Sequence, residues 1–337
     1  MTSMRVPYDE MKGTFEKILL KYGFPEKTAA RAAVMFTDNS CDGVASHGLN
    51  RFPRVLSYIS KGHIDPHAEP APEASFGALE RWNGNRGMGC TNAAAAMDRA
   101  MELARQSGLG CVALGNTNHW MRGGSYGYQA AKAGFMAFCW TNTMPNMPPW
   151  GAKECRVGNN PLVMAFPWKD APVVIDGALA QYSYGALDGY RMAGKQLPFP
   201  GGYDREGKLT TDPAAVLETW RVLPIGFWKG SGYSLVLDLI GSVLSKGNSV
   251  HQVGKLGDEI AVTQVFLAFD VENTSGKDYA ETAAASILED FRSSEPAEPG
   301  GSYFYPGEKA ALTRRENLEK GIPVVEDIWY DLLKELN

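Results

Sequence analysis

The chain has 337 residues, enough for one large domain or two ordinary ones with a substantial hydrophobic core. Its 44% hydrophobic and 21% charged residues are typical of a globular protein, and its net charge of −5 comes without a run of Lys or Arg, which argues against nucleic-acid binding. The sequence shows no apolar leader segment and no apolar stretch long enough to cross a membrane, so we expect no membrane association.

The first sixty residues are predicted to form three helices. The first has apolar residues at helical spacing and ends at Gly23, and the second starts at Pro25. The third follows His47 and ends at Gly62. A proline-rich connector is then predicted over residues 63–75.

Strand-like and helical segments alternate from about residue 85 to residue 270. Five apolar runs are typical of buried strands, with a helix between the first two: CVALGN, FMAFCWTN, NPLVMAFP, APVVIDGA and EIAVTQVFLAFDV. The segment GYSLVLDLIGSVLS, residues 232–245, is apolar nearly all round, which predicts a helix buried on most sides. Helices return from residue 276 to residue 336.

This order of elements predicts an α/β protein in three parts. Residues 1–75 form an N-terminal helical part, residues 76–270 form an α/β body, and residues 271–337 form a C-terminal helical part that packs with the N-terminal one. No internal repeat or low-complexity arm interrupts this arrangement.

The cysteines indicate free thiols in the reducing cytoplasm. They are odd in number and contain no CxxC pair, which disfavours both a disulfide framework and a zinc site. They are Cys41, Cys90, Cys111, Cys139 and Cys155. The sequence also lacks an HExxH motif and an acidic calcium loop, so no metal is predicted.

The usual dinucleotide-binding fingerprint is missing. The nearest match to GxGxxG is GNRGMG at residues 84–89, which has the wrong glycine spacing. A dinucleotide would therefore bind here without an ordinary Rossmann motif.

His47 and Arg51 are the first candidate pair for chemistry. They lie four residues apart beside a predicted helix start, where free backbone N–H groups favour an anion. An imidazole that donates a proton to a carbonyl, beside a guanidinium that binds a carboxylate, suits 2-oxo acid chemistry. The alternative is a capped helix start with a hydrogen-bonded histidine.

His119 is the second candidate, in the loop NHWMRGGSYG between a strand and a helix. Open α/β sheets place ligands in such loops, and Asn118, Arg122, Ser125 and Tyr126 supply further polar groups. The alternative is a structural loop whose glycines serve turns.

Two further segments could bind phosphate or ribose. GFWKGSG, residues 226–232, opens the apolar helix with three glycines, and Lys229 could meet a phosphate while Trp228 offers a stacking surface. Asp176 ends a strand and could accept hydrogen bonds from ribose hydroxyls. Simple helix-start and turn roles are the alternatives.

Six motifs occur together in one order: SHGLNR, NHWMRGGSYG, MPPWGAKECRVGNNP, GYDREGKLTTDP, LPIGFWKGSG and YPGEK. In this order the sequence resembles the malate/L-lactate dehydrogenase family of the non-Rossmann type over nearly its whole length. The resemblance implies the fold of that family, also found in sulfolactate dehydrogenases, with an α/β cofactor-binding domain and a helical substrate and dimer region built from both chain ends. It also implies a homodimer.

The resemblance implies roles for individual residues. His47 matches the family's proton donor and Arg51 its carboxylate holder, although His119 matches a histidine that serves as the acid in some relatives. The segments expected to hold the cofactor are Pro172, Val173, Val174, Ile175, Asp176, Gly177 and Ala178, then Trp228 and Lys229, then Gly307, Glu308 and Lys309. Residues 177–180 depart from the family because they lack its hydroxyl-rich character.

The implied activity is an NADH-dependent reduction of the C2 carbonyl of a small 2-oxo acid, with NADPH as the alternative cofactor. A 2,3-dioxo sugar acid is the expected substrate, and His119 and Asn160 are expected to polarise its carbonyl or orient His47. The alternatives are another 2-hydroxy acid such as malate, lactate or ureidoglycolate, a cyclic imine, or a non-catalytic nucleotide-binding protein. Trp120, Met121 and Met147 are expected near the substrate.

Overall fold

The computed structural model describes residues 4–336. Its helices are α1 (Tyr8–Lys21), α2 (Glu26–Cys41), α3 (Phe52–Ser60), α4 (Gly89–Ser107), α5 (Gly124–Lys132), α6 (Tyr184–Met192), α7 (Pro213–Thr219), α8 (Trp228–Ser245), α9 (Val250–Lys255), α10 (Val271–Thr274), α11 (Lys277–Arg292), α12 (Glu308–Lys320) and α13 (Glu326–Lys334). Its strands are β1 (Arg5–Val6), β2 (Ala71–Phe76), β3 (Leu79–Asn83), β4 (Leu109–Thr117), β5 (Phe135–Thr141), β6 (Leu162–Phe166), β7 (Val173–Gly177), β8 (Gly202–Tyr203), β9 (Leu209–Thr210), β10 (Val262–Asp270) and β11 (Ile322–Pro323).

A seven-stranded sheet forms the centre, in the order β2-β3-β4-β10-β5-β6-β7. Only β3 and β4 pair in parallel among these neighbours, and the other pairs are antiparallel. All five strands predicted from apolar runs are confirmed. The predicted connector over residues 63–75 is wrong at its end, because Ala71–Phe76 forms an edge strand. The edge tolerates Pro72, which lies beside a register shift in the pairing with β3.

Helices cover both faces of this sheet. Along β4, Val112 and Leu114 point to the core formed with α4 and α5, whereas Cys111 and Ala113 point to α8. This alternation follows the two-residue period of a strand. Strand β4 is therefore buried on both faces, which explains its nearly continuous apolar run, whereas Met164 of β6 and Ile175 of β7 are 38% and 45% exposed.

Helix α8 confirms the predicted helix over residues 232–245, but the prediction that it is buried on most sides is wrong for the single chain. Its buried positions carry small residues, Gly230, Ser231, Ser234, Gly241 and Ser245, which let the helix approach the sheet closely. Its large apolar residues point outward, with Leu239 57% and Val243 74% exposed.

The two chain ends pack together. Arg5 of β1 pairs with Pro323 of β11, and one hydrophobic core joins α1, α2 and α3 to Trp329 of α13. At its centre, the Phe15 and Phe52 rings lie 4.4 Å apart. The division at residues 75 and 270 stays a prediction, and β2 straddles its first boundary.

Within residues 4–336, no helix has the length and apolar character needed to cross a membrane. The same residues contain no group of three or more His, Cys, Asp or Glu side chains arranged to hold a metal ion.

Candidate active site

His47 lies in a tight connection between α2 and α3. Two short 3-10 turns, Ala45–His47 and Leu49–Arg51, are joined by Gly48. A Cβ atom at Gly48 would lie 2.1 Å from Oγ of Ser40, so only glycine lets the chain approach α2 this closely. Asn39 also donates a hydrogen bond to the carbonyl of His47, 3.0 Å away. These contacts fix His47 against a rigid helix.

The structure brings His47 and His119 together. Their rings stack with centroids 5.8 Å apart and planes inclined by 25°. Nδ1 of His47 lies 3.0 Å from the Ser46 hydroxyl, and Nδ1 of His119 accepts the N–H of Met121 at 2.9 Å. The proton of a neutral His119 must then lie on Nε2, which faces Oε1 of Glu259 at 3.6 Å.

Burial and positive charge keep both histidines neutral. The pKa of His47 is lowered to about 4, first by burial and then by the Arg51 and Arg122 guanidinium groups. The pKa of His119 lies well below its usual range because of burial, Arg51, His47 and Arg54. The site is therefore arranged to receive an anion, whose charge would offset the arginines.

Arg122 belongs to an ion-pair network rather than to the histidine pair alone. It pairs with Asp42, which also accepts from Arg314 at 2.9 Å. Arg314 in turn donates to Asp38 at 2.7 Å. The network ties the His119 loop to α2 and α12, so it joins the sheet region to the helices from both chain ends.

Most other polar side chains predicted around His119 hydrogen-bond to other groups of the protein. Asn118 donates to three backbone carbonyls, those of His63, Arg86 and Gly87. Ser125 donates to Asn39, and the hydroxyl of Tyr126 donates to the carbonyl of Trp120.

Asn160 is also occupied by the protein. Its amide nitrogen donates to the carbonyl of Ser234 at 2.9 Å, and its oxygen accepts from the N–H of Thr143. Trp120 and Met147 lie fully buried in hydrophobic cores, and Met121 is packed into the core of the chain ends.

The three segments expected to hold a cofactor lie along the edge strand β7. At its start, the N–H of Val174 donates to the carbonyl of Pro306 at 2.9 Å, next to Gly307 at the beginning of α12. Just beyond its end, the N–H of Ile225 donates to the carbonyl of Leu179, which places residues 225–229 at the other end.

A cavity of about 310 Å³ lies beside the start of β7. Its lining includes Pro172, Val174, Gly307, Arg122 and Arg315. Gly307 has φ +98°, and a Cβ atom there would lie 2.6 Å from the carbonyl oxygen of Pro172. Glycine is therefore required for this close approach between α12 and β7.

The other predicted binding groups have specific surroundings. Asp176 accepts the N–H of Gly124 at 2.7 Å through Oδ2, so it holds the start of α5. The N–H groups of Lys229 and Gly230 donate to nearby carbonyls at the start of α8, whereas the side chains of Trp228 and Lys229 are exposed.

Two charged residues beside the histidines were missed by the sequence reasoning. Glu259 lies 3.6 Å from His119, and the charge of Arg54 lowers the pKa of His119. Arg54 lies on the same short segment as Arg51 and could have been included from spacing alone. Glu259 is far from both histidines in the sequence, and its neighbours gave no signal of a buried carboxylate.

Comparison with known proteins gives consistent matches over the whole chain. The family described as malate/L-lactate dehydrogenase matches residues 6–333. A 2,3-diketo-L-gulonate reductase from Pasteurella multocida is 45% identical, covering 97% of this chain and 98% of the relative. One from Haemophilus influenzae is 44% identical, covering 98% of this chain and 99% of the relative.

Solved structures also match over nearly the whole chain. Malate dehydrogenase from Entamoeba histolytica superposes with a TM-score of 0.93 at 25% identity, covering 99% of this chain and 97% of that one. Sulfolactate dehydrogenase from Methanocaldococcus jannaschii gives a TM-score of 0.89 at 28% identity, covering 99% and 96%.

Proposed function

The chain belongs to the malate/L-lactate dehydrogenase family, and on this premise we propose that it reduces the C2 carbonyl of 2,3-diketo-L-gulonate to 3-keto-L-gulonate with NADH. The predicted family, fold class and oxidoreductase activity on hydroxy or oxo acids are confirmed by the family match and by the structural relatives. The choice of substrate is supported by curated relatives of that name at 42–45% identity.

The observation that carries the proposal is the stacked pair of His47 and His119 beside Arg51. A 2-oxo acid has a carboxylate next to its reactive carbonyl, so a guanidinium and an imidazole side by side match both groups. Arg51 binds the carboxylate through charge-assisted hydrogen bonds, which also orients the neighbouring carbonyl. When bound, the nicotinamide supplies the hydride.

The hydrogen bonds favour His47 over His119 as the proton donor. Both nitrogens of His119 face protein groups, the Met121 N–H and Glu259. In His47, only Nδ1 has a hydrogen-bond partner among residues 4–336, the hydroxyl of Ser46. Its Nε2 is thus open to a substrate oxygen, and we assign proton donation to the developing alkoxide to this atom.

The residues along β7 fit a nicotinamide dinucleotide. The close packing of Gly307 on Pro172 lies at the wall of the cavity, and Arg315 adds a positive charge there. We propose that residues 172–178, 228–229 and 307–309 hold the cofactor. The buried Leu179 and Ala180 stand where the family has hydroxyl residues, so these two side chains offer the cofactor no hydroxyl at that end.

A second copy of the chain is the proposed cover of α8. Val236, Leu239, Ile240 and Val243 lie at helical spacing and are 42–74% exposed. Apolar surface of this kind on a soluble protein is typical of a subunit interface. The proposed location is the cytoplasm, which the five free cysteines support.

The test is NADH oxidation, followed by absorbance, with purified protein. The panel contains 2,3-diketogulonate, pyruvate, oxaloacetate and piperideine-2-carboxylate, each run with NADH and with NADPH. The highest kcat/KM is expected for 2,3-diketogulonate with NADH. A higher value for another acid would overturn the substrate, and no turnover with any acid despite NADH binding would overturn the enzyme activity.

A further inference from the structure

Glu259 is a buried carboxylate in the loop between α9 and β10, and the reaction as described so far gives it no part. Its side chain is 12% exposed, and its Oε1 lies 3.6 Å from Nε2 of His119. Burial raises the pKa of Glu259, while Arg51, Arg54 and the N–H of Met144 oppose that rise. The Arg51 and Arg54 guanidinium groups thus stabilise the ionised form of Glu259, which burial alone would disfavour.

The neighbouring carboxylate has a different role. Asp258 accepts hydrogen bonds from the hydroxyl of Tyr58 at 3.1 Å and lies 3.0 Å from Nε2 of His63. It therefore fastens the loop to the end of α3, on the outer side. Because Asp258 already anchors the loop, the inward position of Glu259 is not needed for that purpose.

The charges that lower the pKa values of the two stacked rings are positive. Arg51 and Arg122 act on His47, and Arg51, Arg54 and His47 itself act on His119. A proton transferred between substrate and imidazole would create or remove a further positive charge in this surrounding. Glu259 places a carboxylate beside His119, and a negative charge at this position favours the protonated imidazole.

The tautomer of His119, which the Met121 N–H sets, places a proton on the nitrogen that faces Glu259. Since Nδ1 accepts the N–H of Met121, the neutral ring carries its proton on Nε2, directed at Oε1 of Glu259. A carboxylate in this position orients an imidazole and stabilises its protonated form. The His119 ring stacks on His47 with centroids 5.8 Å apart, so its orientation and charge act on the neighbouring His47.

We propose that Glu259 is a positioning residue for the proton transfer, orienting the His119 ring through the proton on its Nε2 and balancing Arg51 and Arg54 so that His47 can carry a proton when substrate is bound. This inference rests on the proposed 2-oxo acid reduction, whose proton donor it serves. Glu259 itself contacts neither substrate nor cofactor in this role.

The test compares Glu259→Gln and Glu259→Asp with the wild type, and Asp258→Asn is the matched control that removes the adjacent charge. In Glu259→Gln, the basic limb of the kcat profile for reduction should move to lower pH by about one unit, lowering kcat about tenfold above the limb. Glu259→Asp should recover part of that loss, and Asp258→Asn should leave the limb in place. An unchanged limb in a folded Glu259→Gln protein would overturn the proposal.

A second measurement does not depend on turnover. In wild-type protein with nitrogen-labelled histidine, the ring nitrogen shifts of His119, assigned with His119→Gln, should show the proton on Nε2 of the neutral ring. A proton on Nδ1 would overturn the proposal even if Glu259→Gln failed to fold. Absence of wild-type activity towards every 2-oxo acid would instead count against the proposed function. The position of the His119 proton would still show whether Nε2 can donate to Glu259.

Discussion

His47 and His119 stack with ring centroids 5.8 Å apart, yet their nitrogens have different partners. His119 is held on both sides by the Met121 N–H and by Glu259, whereas His47 is held on one side by Ser46. Two imidazoles at this distance also disfavour simultaneous protonation. This difference supports the proposed roles, in which His119 holds its position and His47 exchanges a proton.

We expect His47→Ala to lower kcat by about 10²–10⁴-fold, because it removes the general acid, with NADH affinity little changed. Steady-state kinetics and a fluorescence titration with NADH measure the two quantities. His67→Ala is the control, since His67 is exposed on the surface. Near-normal turnover of His47→Ala would exclude His47 as the essential acid.

The pH dependence should differ between kcat/KM and kcat. The pKa of His47 is lowered to about 4 in the free protein, so the donor is mostly deprotonated at neutral pH and kcat/KM for reduction should fall as pH rises above about 4. Substrate bound at Arg51 adds a negative charge that raises the pKa of His47. The basic limb of kcat should therefore lie at higher pH than that of kcat/KM.

Steady-state pH profiles of reduction and of oxidation check whether protonated His47 is needed for one direction and neutral His47 for the other. For oxidation of the hydroxy acid, His47 must be neutral, so kcat/KM should rise from low pH and become level above about pH 4. Coincident limbs for kcat and kcat/KM in reduction would contradict the effect of the substrate charge.

The elements that could be predicted are those whose burial is visible in their own sequence. The strands of β4, β5 and β10 are apolar on both faces and were recognisable from their composition. Strand β2 lies at the sheet edge with mostly exposed residues, so its sequence resembles a connector. Helix α8 is apolar all round, and periodicity alone cannot distinguish a buried helix from one that presents a face to a second subunit.

The candidate site shows the same limit. His47 and Arg51 are four residues apart, and a local pattern was enough to pair them. Their meeting with His119 and Glu259 depends on tertiary packing, which single-sequence spacing does not contain. Asn160 shows another limit, because spacing does not reveal that its side chain hydrogen-bonds Ser234 and Thr143; its expected place near the substrate stays a prediction.

Arg51→Lys should raise KM for the 2-oxo acid by about tenfold or more, because a lysine ammonium cannot make the two parallel hydrogen bonds of a guanidinium. The effect on kcat should be smaller, provided that His47 stays in place. Arg86→Lys on the loop after β3 is the control for the same exchange elsewhere. An unchanged KM would show that another group binds the carboxylate.

Replacing Leu239 and Val243 together by Glu should convert the proposed dimer to a monomer. Both side chains are more than half exposed in the single chain, and two buried charges at an interface would oppose its formation. Light scattering coupled to size-exclusion chromatography gives the mass. Phe76→Glu is the control, since Phe76 is a 62% exposed apolar residue of β2 and not of α8. A monomeric wild type would refute the dimer.

Gly307→Ala should weaken NADH binding, because its Cβ atom would lie 2.6 Å from the carbonyl oxygen of Pro172 and push α12 away from β7. Gly134→Ala is a matched control, with φ +88° against +98° at Gly307 and no atom within 4 Å of the added Cβ. Both variants should lose about 1 kcal/mol of stability from the positive φ, but only Gly307→Ala should lose NADH affinity. Thermal unfolding and fluorescence titration separate the two effects. Equal NADH affinity in both variants would place the cofactor away from the contact between Gly307 and Pro172.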